Sequence, residues 1–140
     1  MEEKIAKRIL VVEDNPRILL VIQRRLESAG YSVITAQEGP RGLEMAKSER
    51  PDLILLDLTL PKLDGFEVCR LLKRDPAYSQ IPIIMLTART EANDVGSGLR
   101  CGADHYMTKP FDHAVLLGQM ANLLAKAERT RNAQGESSKI

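Results

Sequence analysis

The chain has 140 residues, 44% of them hydrophobic and 28% charged, with a formal net charge of +1. That length and balance suit one domain with a core of its own. The near-neutral charge excludes a general electrostatic drive toward nucleic acid or anionic lipid.

The elements follow in chain order. "RILVVED" (8–14) is a short apolar run that ends in two acids. "NPRILLVIQRRLESAG" (15–30) predicts a helix: Asn15 can cap it, Pro16 suits its first turn, and Gly30 suits its far end. Ile18, Leu19, Ile22 and Leu26 give that helix an apolar stripe. "YSVITA" (31–36) alternates at period two and predicts a strand. "GPRGLEMAKSERP" (39–51) predicts a helix that Pro51 stops. "LILLD" (53–57) predicts a buried strand, and "GFEVCRLLKRD" (65–75) the helix after it. "IIMLT" (83–87) predicts a fourth strand, and "EANDVGSGLRCGA" (91–103) a weak helical pattern. "HYMTKP" (105–110) holds a short fifth strand. "DHAVLLGQMANLLAKAER" (112–129) predicts a last amphipathic helix, with Val115, Leu116, Met120, Leu123 and Leu124 on its apolar side. From residue 129 the periodicity is lost. The division expected is a domain over 1–128 and a polar tail or linker start over 129–140.

Strand–helix alternation repeated five times, with nearly continuous apolar strands, implies a parallel sheet covered on both faces. Five units make an open doubly wound α/β sheet and are too few for an eightfold barrel. Such sheets bind ligands beyond the carboxyl ends of their strands. Glu13 and Asp14 end the first strand, Asp57 the third, Thr87 the fourth, and Lys109 follows the fifth. Taken singly, each has an ordinary explanation as a cap or loop residue. Together they converge on one edge and form a site.

Three acids at close range repel one another. A hard divalent cation with oxygen ligands resolves that, and Mg²⁺ fits. With Lys109 as a cation and Thr87 as a hydroxyl, the set suits phosphoryl transfer to a free carboxylate. No Walker loop follows the first strand, which runs into "EDNPRI" instead. An Asp-nucleophile phosphatase would want a second acid two residues after the nucleophile, where this chain has Thr59. Cys69 and Cys101 form no metal or disulfide framework and read as small apolar fillers. His105 and His113 match no zinc spacing and read as surface residues. "MEEKIAKR" lacks the apolar stretch of a signal peptide, and no run approaches membrane-spanning length. A cytoplasmic protein without membrane contact is expected.

The ordered set "LVVEDN", "PDLILLDLTLPKLDGFEV", "IPIIMLTA" and "GADHYMTKPF" resembles the receiver domain of two-component response regulators, over roughly residues 7 to 127. The resemblance implies the flavodoxin-like strand order 2-1-3-4-5 with five helices. It implies Asp57 as phosphoacceptor from a sensor histidine kinase or a phosphotransfer protein. Asp14, Asp57 and the main-chain carbonyl of Thr59 would bind Mg²⁺, with Glu13 acting on the metal through water. Thr87 and Lys109 would hold the phosphoryl oxygens, and Tyr106 would be the switch aromatic. The Lys109–Pro110 bond would be cis. Thr59 and Arg89 occupy the positions that tune signal lifetime. The output face would involve the fourth helix, the fifth strand and the last helix. Gly96, Gly98 and Gly102 would make the fourth helix plastic, at about 1 kcal/mol for each interior glycine.

A signalling switch is therefore expected, not an enzyme with turnover. The tail is too short for an effector domain, so a stand-alone receiver with a protein target and no nucleic-acid contact is favoured. A piece of a longer regulator is the alternative. The winged-helix subfamily dimerises through a charged set that His105 and Gln119 do not reproduce.

Overall fold

A computed structural model describes residues 6–88 and 101–138. Five strands form one parallel sheet in the order β2-β1-β3-β4-β5: β1 Arg8–Val12, β2 Ser32–Ala36, β3 Leu53–Asp57, β4 Ile83–Ala88 and β5 His105–Lys109. The helices among the described residues are α1 Pro16–Ser28, α2 Gly39–Glu49, α3 Gly65–Arg74 and α4 His113–Ser138. The expected order is therefore observed. The helix predicted over 91–103, with Gly96 and Gly98, lies almost wholly outside the described residues.

Every residue of β3 is buried, so it carries apolar side chains to both faces. Ile9, Val11, Leu53, Leu55, Ile84 and Leu86 point to one face, under Leu19, Ile22 and Leu26 of α1 and Leu116, Met120 and Leu124 of α4. Leu10, Val12, Ile54, Leu56 and Met85 point to the other, under Ala46 of α2 and Val68, Cys69 and Leu72 of α3. The period-two alternation of strands thus divides the core into two halves.

Two expected stripe members face outward. Ile18 is 39% exposed, and Val115 is also exposed. Spacings of three and four from Leu19 and Leu116 define the buried lines, and Ile18 and Val115 lie one residue to the side. The two histidines are half-buried and do not lie fully on the surface. His113 meets the Phe111 ring edge-on at 5.4 Å. The last helix does not stop near residue 128 but continues to Ser138. Its later residues Arg129–Ala133 are exposed. Nothing beneath them demands an apolar stripe, and a helix once nucleated propagates through good formers such as Ala, Arg and Gln.

Candidate functional site

The site grows out of strand ends. Asn15 caps α1, its Oδ1 accepting from the N–H groups of Arg17 and Ile18 at 2.9 and 3.1 Å. That turn sends Glu13 inward and Asp14 outward. Glu13 is 1% exposed, while Asp14 is exposed. Asp57 is the last residue of β3 and is 5% exposed. The backbone passes close beneath it at Gly65, where a Cβ would lie 2.1 Å from the Asp57 carbonyl oxygen. Only glycine permits that approach, which lets α3 begin against the acceptor loop. Asp64 caps α3, its Oδ1 accepting from the N–H of Glu67 at 3.0 Å.

Lys109 closes the constellation from the far side of the sheet. Its Nζ donates to Glu13 Oε1 at 2.8 Å and lies 3.2 Å from Asp57 Oδ1. The four-carbon stem is what lets one ammonium at the end of β5 reach acids on β3 and beyond β1. Glu13 Oε2 accepts from the N–H of Asn15 at 3.2 Å. Glu13, Asp14 and Asp57 each offer a carboxylate oxygen, all within 4.8 Å of one another.

Among the described residues, three acids gather around one ammonium, and their protonation reflects it. Burial and then the Glu13 charge push Asp57 up to about 7, against the pull of Lys109. Asp14 is raised by burial and by its contact with Glu13. Burial opposes the Glu13 charge, but bonds from Lys109 and the Asn15 N–H hold it below its usual range. Burial likewise opposes the Lys109 charge, and the two acids hold it above its usual range. An all-oxygen donor set with surplus negative charge fits a hard divalent cation such as Mg²⁺.

Strand alternation sorts the remaining residues. Glu13, Asp57 and Lys109 are in phase with Val11, Leu55 and Met107, on the α1/α4 face. Thr87, buried at the end of β4, is in phase with Met85 on the α2/α3 face. Tyr106 packs on that same face, with its hydroxyl 3.8 Å from the Cys101 Sγ. The acids and the ammonium thus meet directly, and Thr87 stands at the end of the neighbouring strand. Thr59 lines the acid cleft, a space of about 280 Å³. Arg89 lies outside the described residues. The Lys109–Pro110 bond is cis.

A second cleft, of about 490 Å³, adjoins the first and was not foreseen from sequence. Ile18, Val21, Pro110 and Phe111 line it, and it shares Lys109 and Ala88 with the acid cleft. The signal for it was Ile18, whose outward position a stripe pattern cannot distinguish from core. Among the described residues, no helix is long and apolar enough to cross a membrane.

A doubly wound sheet with acids at one edge and a lysine reaching them defines a class of phosphate-linked α/β domains. Within it, this chain belongs to the response regulator receiver domain family, whose pattern matches residues 9–121. A receiver domain acts as a switch in two-component signalling, and aspartyl phosphate and Mg²⁺ are typical of the family. The chain is 47% identical, over 87% of its length, to half of the alkaline phosphatase synthesis transcriptional regulatory protein PhoP of Bacillus subtilis. It spans about half the length of the first curated relatives it matches. The signal receiver domain of a histidine kinase from Syntrophus aciditrophicus superposes with a TM-score of 0.83 at 37% identity, covering 89% of this chain and 94% of that one. The receiver domain of the sensor histidine kinase PA1611 from Pseudomonas aeruginosa, solved with a magnesium ion coordinated in its active-site cleft, superposes with a TM-score of 0.79 at 35% identity, covering 86% of this chain and 99% of that one.

Proposed function

We propose that this domain is a phosphorylation-dependent switch in which Asp57 accepts a phosphoryl group from the phosphohistidine of a sensor histidine kinase or phosphotransfer protein. The observation that carries this reading is the Glu13–Asp14–Asp57 cluster with Lys109 bonded into it. Asp57 is the acid positioned as nucleophile, because it ends a central strand with its carboxylate in the cleft. Its carboxylate oxygen attacks phosphorus as the bond to the donor imidazole breaks.

Asp14, Asp57 and the Thr59 main-chain carbonyl would hold Mg²⁺, with Glu13 acting through water. Bound there, the ion would neutralise charge on the transferred group. The magnesium ion in the PA1611 receiver supports this assignment by likeness. Lys109 turns its ammonium from the acids toward the phosphoryl oxygens, and the Thr87 hydroxyl donates to them. Tyr106, on the same face as Thr87, follows that movement inward. Arg89 tunes the lifetime of the phosphorylated state together with Thr59.

The added charge biases a two-state equilibrium of the surface around β5, α4 and the segment 91–103. A protein donor reaching Asp57 passes over the apolar cleft beside Lys109, which gives it a surface to grip. The regulator acts in the cytoplasm. A stand-alone receiver with a protein target is one reading. The half-length match to transcriptional regulators favours a second, in which this domain controls an attached effector.

The test is incubation with Mg²⁺ and acetyl phosphate, read by intact mass. One phosphoryl group adds to the wild type, transiently, and none to Asp57→Asn. Equal labelling of Asp57→Asn, or steady turnover of a phosphomonoester, overturns the reading.

A further inference from the structure

We propose that Cys69 and Cys101 form a redox-modification site, an intramolecular thiol pair that a peroxide converts to a disulfide. It rests on nothing at the acid edge. Cys69 comes from α3 and Cys101 from the segment just before β5, and both are buried, at 0% and 6% exposure. These are the chain's two cysteines, and the fold brings them together. Cys69 Sγ lies 3.7 Å from the Cys101 carbonyl oxygen, so its thiol sits directly against Cys101. Two isolated fillers need not meet; here each is the other's polar neighbour inside an apolar cluster.

The pair is asymmetric, which gives each sulfur a role. Cys101 is the more accessible, and its Sγ lies 3.8 Å from the Tyr106 hydroxyl. The neighbouring Cys69 thiol, with further help from the backbone at Ala103 and from Tyr106, pulls Cys101 down to about 6 against the effect of burial. The Cys69 thiol is pushed up by its neighbour Cys101 and by burial. Cys101 is thus the thiolate that meets the oxidant, and Cys69 is the resolving thiol.

The chemistry balances with hydrogen peroxide as the oxidant. The Cys101 sulfur attacks one peroxide oxygen, an S–O bond forms and the O–O bond breaks. The departing hydroxide takes up the proton that the Cys101 thiol released and leaves as water, and Cys101 is a sulfenic acid. The Cys69 sulfur then attacks the Cys101 sulfur, the S–S bond forms, the S–O bond breaks, and the hydroxide takes the Cys69 proton. Two thiols lose two electrons, and one peroxide becomes two waters. The product ties α3 to the start of β5 and changes the sulfur that Tyr106 faces.

The experiment is titration of the intact domain with hydrogen peroxide, followed by thiol counting under denaturing conditions and peptide mapping. The expected result is loss of both titratable thiols, a mass decrease of two hydrogen atoms and a peptide linking Cys69 to Cys101. Dithiothreitol restores both thiols. In Cys69→Ala, oxidation stops at Cys101 sulfenic acid, which dimedone labels. Both thiols surviving peroxide that oxidises the urea-unfolded chain would overturn the proposal. So would disulfides formed only between chains, or a dimedone adduct on wild-type Cys101 without the cross-link.

Discussion

The acid edge and the thiol pocket use the same sheet and hold their polar groups in opposite ways. At the acid edge, three carboxylates share one ammonium, with contacts of 2.8 and 3.2 Å. In the thiol pocket, sulfur, hydroxyl and carbonyl groups of weak polarity sit at 3.7 and 3.8 Å. Among the described residues, the first region gathers three acids around one ammonium; the second holds at most the single charge of Cys101 and is tightly enclosed. The difference shows where a fold can place strain. A strand end lets an apolar run change to a charge in one residue, as at Leu56–Asp57 and Val12–Glu13, with water on the far side. The interior of a helix–sheet contact allows only groups that lose little on burial.

Three measurements sharpen or break that contrast. The largest effect is expected for Lys109→Ala, which leaves the buried Glu13 without its ammonium. A loss of about 4 kcal/mol in urea unfolding at pH 7 is expected, smaller at pH 4, where Glu13 can take a proton. A loss below about 1 kcal/mol would mean that the acids do not depend on Lys109. Next is the pH dependence of Asp57 without metal. Its folded-state value is raised to about 7, above the unfolded value of about 3.9. The associated stability is fully present below pH 4 and is lost as pH rises through about 7. Wild type should therefore lose on the order of 4 kcal/mol relative to Asp57→Asn across that window. Mg²⁺ at pH 8 should remove the difference, and parallel curves without metal would show that Asp57 is not under tension. The smallest effect is expected for Cys69→Ala at pH 5, about 1 kcal/mol, with a larger cost at pH 8, where the Cys101 thiolate loses the neighbour that favours it. A cost like that of Lys109→Ala would place strain in the pocket as well.

Much of the molecule was legible in the chain. "LILLD" predicts β3 with the bounds observed, because a run buried on both faces needs no partner to be recognised. Glu13, Asp14, Asp57 and Lys109 could be gathered on one edge because a parallel sheet aligns all its strand ends. The direction of individual side chains was less legible. Ile18 and Val115 have the right character for core but lie beside the buried line. The last helix outran its stripe because the stripe records only what packs beneath it. The contact of Cys69 with Cys101 depends on how α3 meets the chain before β5, a tertiary fact with no local signal.

Glu13 has a consequence beyond charge. One of its oxygens takes the Lys109 ammonium, and the other takes the Asn15 N–H, whose own side chain holds the first turn of α1. Strand β5 is therefore coupled to the head of α1 through an unbroken line of hydrogen bonds. Withdrawing the lysine slackens that line at one end, and α1, whose Ile18 and Val21 line the neighbouring cleft, is where the slack arrives.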